Sequence, residues 1–577
     1  MKSIKVILAF LKQHLALTLM APLCVIIEVA AELAQPKIMS EIVNRGVIGG
    51  ESEIITSLGI KMLALTLTGL CAGIFSIYAA GKVSYAFGAD MRTKMFSRIQ
   101  KFSFSNIDRL QTGSLITRIT SDVTQVQNVI QASMRLLFRA PFMFIGAIVM
   151  VFMLDMKMVY ILIVILPILL FTIIYILKKS FPLFTIVQQK MDKFNTVVQE
   201  LLSGIRVVKA YVREDGEKKR FEASNEDYIA SSLKVSKLII LMMPAMSFIM
   251  NLGIVGVIWF GEYEVAERNL NVGDIMACTN YMTQILMSLM MAQRVIMSIT
   301  QAEASMVRIN EVLETECELD LQSTGVEVPE DGYLEFDNVS FQYEGSNKSQ
   351  LSNISFKINK GETLAILGST GSGKSTLVNL IPRFYDVTEG AIKIGGKDIR
   401  EIDRKALQNS VGMVMQNTVL FSGTIADNMR MGNENATDDE IIEALRQADI
   451  ADFVLSLPDG LNHVIEQDAT NISGGQRQRI SIARTLISKP DILILDDSLS
   501  AVDLITESKI RKALNKLQMT KIIIAQRISS IKDANKILMI EDGKMLCYGT
   551  HDELYNSSVE YKEVYDSQVQ SAEEGKL

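Results

Sequence analysis

The chain has 577 residues, 49% of them hydrophobic, and its 58 Lys+Arg against 65 Asp+Glu leave a net charge of −7. At roughly 150 residues per domain that length exceeds one compact core. The charge balance excludes a general nucleic-acid binder, 21% charged residues with abundant apolar ones exclude disorder, and five cysteines without a CxxC pair exclude a disulfide scaffold and fit reduced thiols facing cytosol.

The hydrophobicity is concentrated in the first half, and the mean hydropathy of +0.24 reflects that. Uncharged runs cover 62–80, 140–154, 158–177, 238–261 and 275–293, and 15–48 is apolar apart from Glu28, Glu32, Lys37 and Glu41. A helix needs about 20 residues to cross about 30 Å of hydrocarbon. The run at 140–154 is short, but 136–138 extend it if Arg139 turns inward, so six spans are expected and none beyond Ser298. Basic residues crowd the connections after spans two and four, from Lys82 to Arg118 and from Lys178 to Lys237. Positive-inside bias puts these connections and both termini in the cytoplasm. Apolar residues at helical spacing through 90–100 and 192–210 predict helices that continue past the bilayer, with reversals near 102–111 and 212–216. Residues 1–11 show no convincing cleavage site, so no removed signal peptide or leading domain is expected.

Within the first span, Glu28 and Glu32 share a helix face, which fits either a cation-attracting wall or structural pairing with Arg135, Arg139 or Arg294. Met242, Met243, Met246, Met250, Met282, Met287, Met290 and Met291 fit an adaptable ligand surface or a lipid-facing one.

The composition turns acidic at 314–331, as in a linker. Beyond it, short β-rich runs at 333–343, 363–368, 411–415, 492–496 and 521–525 alternate with helical segments, the pattern of a nucleotide-binding α/β layer. Residues 567–577 read as a solvated tail. The expected organisation is an all-α membrane domain of six helices at 1–313, a linker at 314–331, an α/β domain at 332–560 and a tail at 561–577.

Gly368, Ser369, Thr370, Gly371, Ser372, Gly373, Lys374 and Ser375 follow an apolar strand and open a helix through Thr376, matching G-x-x-x-x-G-K-[ST]. The glycines let backbone N–H groups turn around phosphates, Lys374 reaches the β/γ oxygens, and the Ser375 hydroxyl ligates Mg²⁺. Downstream, the apolar strand 492–495 ends in Asp496, placed to hold Mg²⁺ at the carboxyl edge of the sheet. Ile472 then Ser473, Gly474, Gly475 and Gln476 before an amphipathic helix form a second anion-binding element.

In that order these motifs resemble the ATP-binding-cassette (ABC) transporters, whose signature loop usually begins with Leu where this chain has Ile472. Six spans followed by one cassette resemble an exporter half-transporter over nearly the whole length. The resemblance implies bound ATP and Mg²⁺, two cassettes sandwiching two nucleotides head to tail, and a signature loop that caps the γ-phosphate of the opposite subunit. It gives Tyr343 the role of stacking on adenine, Gln416 that of touching Mg²⁺ and sensing the membrane part, and the segment 500–503 a place between the cassettes. Residues 106–111 and 205–214 fall where the family's coupling helices press on cassettes.

Two positions depart from the family. Asp497 stands where Glu usually polarises the attacking water, and Gln526 where His usually contacts the γ-phosphate; residues 466–469 also lack the common Gly-Glu-x-Gly. A carboxylate retracted by roughly 1 Å can cost on the order of 10²-fold in rate, and an amide cannot carry the proton or charge of imidazole. Together these resemble the degenerate half of a heterodimeric multidrug exporter, a second half-transporter being the partner, the lipid bilayer the setting and small molecules the cargo. The alternatives are a homodimeric exporter of drug, lipid or peptide, and a membrane-anchored ATP-binding regulator.

Overall fold

The computed structural model describes residues 10, 12–267, 270–316, 326–329, 333–499, 502–525, 528 and 531–573, the side chains of 293–301, 504 and 569–573 excepted. Gln526, Ser500, Ala501 and the Arg294 side chain, all singled out above, lie outside these. The chain divides into two units: one holds the residues up to Ile99 and Gly113–Glu314, the other Gln100–Thr112 and the chain from Thr315.

Six helical stretches of the first unit, at Leu15–Ile48, Ser52–Ile99, Thr112–Leu154, Val159–Ser203, Glu214–Ala266 and Val272–Ala292, are long and apolar enough to cross a membrane. Several have about twice the length a bilayer needs, which gives the helical extensions expected from the periodicity. Large apolar side chains stay exposed along them, Trp259 at 76% and Phe171 at 70%, an arrangement suited to lipid and costly in water. Polar groups do the reverse and pair inside. Arg139 is turned inward and holds Glu28 at 2.5 Å and Glu32 at 2.6 Å, while Arg135 lies 3.6 Å from Glu28. An intramembrane carboxylate is costly without such a partner, so structural pairing accounts for both acids and the cation-wall reading is set aside.

The methionines are corrected too. Met242, Met246, Met250 and Met282 are buried in the helix-bundle core beside Leu162, Ile165 and Leu169. Only Met243 and Met287 among the eight are strongly exposed. Unbranched, polarisable side chains here fill gaps between helices.

In the second unit, an antiparallel sheet has the order β2-β1-β4-β5, from β1 (Leu334–Phe341), β2 (Leu351–Ile358), β4 (Glu389–Ile394) and β5 (Lys397–Asp398). The other main sheet runs β12-β11-β3-β10-β9-β6, from β3 (Thr363–Leu367), β6 (Val411–Val414), β9 (Ile492–Asp496), β10 (Thr520–Ile524), β11 (Lys536–Glu541) and β12 (Lys544–Gly549), and β7 (Gly423–Thr424) pairs with β8 (Val464–Ile465) apart from both. Its strands β11, β3, β10, β9 and β6 pair in parallel, so their carboxyl ends share one edge. Near-continuous apolar runs such as 492–495 are fully buried there, as parallel strands covered on both faces require.

The tail needs correction. Val559–Glu573 is helical, Tyr561 is fully buried beside Ile528 and Leu554, and the Ile528 N–H donates to Gln568 Oε1 at 2.7 Å. Tyr561, Val564 and Tyr565, at helical spacing, cover the end of the parallel sheet, a face hidden in a polar stretch. Of the linker, Val326 pairs with Ile402 in a short parallel bridge.

Candidate functional site

β3 delivers the chain to the carboxyl edge of the parallel sheet, where residues 368–373 turn before the helix Lys374–Leu380. Glycine is required at two of these positions. Gly368 has φ +157° and a Cβ there would lie 2.2 Å from the Ile540 carbonyl oxygen; Gly373 has φ +102° and would meet the Gln350 carbonyl at 2.9 Å. Lys374 folds back over the loop, donating to the carbonyls of Gly368 at 2.9 Å and Ser369 at 2.7 Å. The Ser372 hydroxyl is buried in the loop without a hydrogen-bond partner.

β9 brings Asp496 to the same edge, where Ser375 Oγ donates to it at 3.1 Å. Burial raises the Asp496 carboxyl above the usual carboxylate range, the Ser375 hydrogen bond opposes this, and adjacent Asp497 adds to the rise. Burial also lowers the Lys374 ammonium, against the pull of Asp497 and Asp496. A glycine cradle, a half-buried cation, an orphaned donor and a hydroxyl–carboxylate pair fit a nucleoside triphosphate with Mg²⁺, the donor set being hard oxygen. Ser375 and Asp496 would hold the ion, which neutralises developing phosphate charge.

Asp497 follows β9 in the left-handed region at φ +48°, a conformation Asp adopts more readily than most side chains. The parallel register that pairs Val414 with Leu495 puts exposed Gln416 two residues past β6 on the same edge. β10 ends at Ile524, paired with Asp496, two residues before Gln526.

Tyr343 lies just beyond β1, half-buried, its hydroxyl 3.2 Å from Thr376 Oγ1. Its ring meets Phe341 and Tyr385 edge-on at 4.8 and 5.3 Å. Sequence reading missed Tyr385, whose only local signal is an aromatic pair, Phe384 and Tyr385. The Tyr385 hydroxyl donates to Asp108 at 2.7 Å and Phe384 stacks on Phe104 at 4.5 Å, so the short helix Phe104–Leu110 belongs to this unit. Burial, then the hydrogen bond to Asp108, raises the Tyr385 phenol well above its usual pKa.

The loop at 473–476 opens the helix Gly474–Leu486 as a reciprocal cap. Gln476 N–H donates to Ser473 Oγ at 3.3 Å, and Ser473 N–H to Gln476 Oε1 at 2.9 Å. Ser473 and Gly474 remain exposed. Just before it, Asp468 and Ala469 both take left-handed backbone, φ +58° and +51°. Ala469 is also fully buried. The Gly-Glu-x-Gly pattern would have glycine there, so this departure carries backbone strain of about 1–2 kcal/mol.

Comparison with known proteins matches residues 18–289 to a family described as ABC transporter transmembrane region and 351–500 to one described as ABC transporter. Among curated relatives, the uncharacterized ABC transporter ATP-binding protein YfiB of Bacillus subtilis is 41% identical over 97% of this chain and 98% of its own length. An ATP-dependent lipid A-core flippase of Syntrophus aciditrophicus is 33% identical over 89% of this chain and 86% of its own. The putative multidrug export ATP-binding/permease protein YgaD of B. subtilis is 34% identical over 86% and 85%. The solved structure of a bacterial Atm1-family ABC exporter with ATP bound covers 97% of this chain and 99% of its own, with a TM-score of 0.78 and 26% identity.

Proposed function

The chain belongs to the ABC transporter family, with an exporter-type membrane domain fused to its cassette, and we propose that it is the weakly hydrolytic half of a heterodimeric exporter. Its phosphate loop, Lys374, Ser375 and Asp496 bind Mg·ATP and release it slowly. Its exposed Ser473 and the following glycines complete a competent site whose Glu and His come from a second subunit. The observation that carries this reading is Asp497 at the end of β9: one methylene shorter than Glu, it holds the attacking water less well. Gln526 acts in the same direction, since a neutral amide cannot share a proton.

Both termini and the cassette lie on the cytoplasmic side of the cell membrane, the side of the basic connections. The short helix Ile205–Ala210 and its flank leave Val207, Tyr211 and Val212 60–81% exposed, an apolar tip suited to the cassette of the other subunit. Closing of the two cassettes on ATP biases the spans from inward- to outward-facing. Hydrophobic or amphipathic small molecules are the cargo class that fits, a reading supported by relatives whose names specify putative multidrug export and lipid A-core flipping.

The test is ATPase activity of the purified chain, alone and with the half-transporter it assembles with. The pair should turn over and the lone chain should be slow. Brisk hydrolysis by the lone chain, undiminished by Asp497→Ala, would sink the proposal.

A further inference from the structure

The fourth and fifth spans, Val159–Ser203 and Glu214–Ala266, form one antiparallel hairpin. Gly256 lies against Ile161, Gly253 against Ile165, and Lys190 pairs with Asp227 at 2.7 Å. That ladder sets Lys179 opposite the step from Leu238 to Ile239. Here the apolar runs 158–177 and 238–261 end on both helices together, and four lysines begin: Lys178, Lys179, Lys234 and Lys237, all exposed.

The residues facing into the hairpin at this level are Ser180 and Val235, both buried. Lys179 and Lys234 each precede such a residue by one position. Successive helical residues are about 100° apart, and the two helices run oppositely, so both lysines emerge on the same side. Acidic residues are absent from 156–191 and from 228–261. None of the four lysines has an ion pair among the described residues; the one contact is Lys179 Nζ over the Tyr175 ring at 5.8 Å. The Ser180 hydroxyl, in the seam, is buried without a hydrogen-bond partner.

We propose that this side of the hairpin is a binding site for the phosphodiester headgroup of an anionic phospholipid. Lys179 and Lys234 hold the phosphate, Lys237 and Lys178 flank it, and the acyl chains lie along the exposed apolar surface of Tyr175, Ile168 and Leu241, which fall on the same side at helical spacing. Orientation in the membrane requires only basic residues somewhere in these connections. A same-side pair at the hydrocarbon boundary, free of acids over more than 30 residues on each helix, provides a defined anion seat. The site stands on the membrane reading alone and is independent of which cassette hydrolyses ATP.

The experiment uses the full chain, with the subunit it assembles with, in nanodiscs of phosphatidylcholine containing a titrated fraction of phosphatidylglycerol. Native mass spectrometry then counts the lipid retained. Wild type should retain phosphatidylglycerol in preference to phosphatidylcholine. Lys179→Gln/Lys234→Gln should weaken retention by about fivefold per lysine, while Lys179→Arg/Lys234→Arg and the boundary control Lys82→Gln should keep it. Unchanged retention in the Gln pair, or an equal loss in Lys82→Gln, would overturn the proposal. So would inorganic phosphate binding as tightly in neutral lipid, which would make the ligand a free anion. Should the Gln pair not fold, Lys234→Gln alone must still give the fivefold loss, and its absence overturns the site.

Discussion

The glycine loop with Asp496, and Asp497 beside it, sit on one edge of one sheet, yet the first matches the family pattern and the second departs from it. The first works through backbone: glycines at 368 and 373 admit a turn that any Cβ would block, and Lys374, Ser375 and Asp496 are held by neighbours less than 3.2 Å away. The second would work through side-chain reach, and Asp497 departs from the family pattern, as Gln526 and residues 466–469 do elsewhere in the sequence. Backbone cradles fail outright when altered. Side-chain chemistry can weaken by degrees while the fold and nucleotide binding persist, so one cassette can keep its grip and lose its pace.

The largest expected effect breaks that contrast directly. Asp497→Glu with Gln526→His should raise turnover at this chain's own site on the order of 10²-fold, read as single-turnover phosphate release from the assembled pair. No rise would locate the deficit elsewhere, the strained turn being the next suspect. The reverse experiment acts on the retained half. Lys374→Ala removes a charged donor, and at about 1.5–3 kcal/mol ATP binding should weaken by roughly 10–100-fold, measured by equilibrium titration with a fluorescent ATP analogue. Binding that survives intact would show that the cradle does not hold the nucleotide.

Smaller effects sharpen the comparison. Ser473→Ala removes an exposed cap and should lower cassette stability by about 1 kcal/mol, followed by denaturant unfolding. The same variant should slow the pair's ATPase while nucleotide titration at this chain's own phosphate loop stays unchanged. Equal loss in both readouts would mean the loop serves its own site. Ala469→Gly should stabilise the cassette by about 0.5–1 kcal/mol: relief of about 1–2 kcal/mol of left-handed strain, less about 0.5–1 kcal/mol from glycine's freedom in the unfolded chain. A shift of the unfolding midpoint in the opposite direction would show that the turn is matched to alanine.

The spans, the phosphate loop and the strand ending in Asp496 were legible because each is written in consecutive residues: about 20 apolar positions, a fixed glycine spacing, a buried run. The helix ahead of the C-terminus was not, because Tyr561, Val564 and Tyr565 are apolar only in relation to a sheet end that another part of the chain supplies. Tyr385 escaped notice for the same reason, its partner Asp108 being 277 positions away.

By itself the sequence determined which segments are long and apolar enough to meet lipid, where the glycine-rich phosphate-loop pattern lies and which two positions depart from the family pattern, since all three follow from local period, spacing and residue type. Only the tertiary structure decided that Arg139 neutralises Glu28 and Glu32, that the methionines fill a core, that Ala469 is strained and that Lys179 and Lys234 share a side. Such facts depend on which distant residues become neighbours, and a one-dimensional pattern carries no distance between them until the helices and sheets have packed.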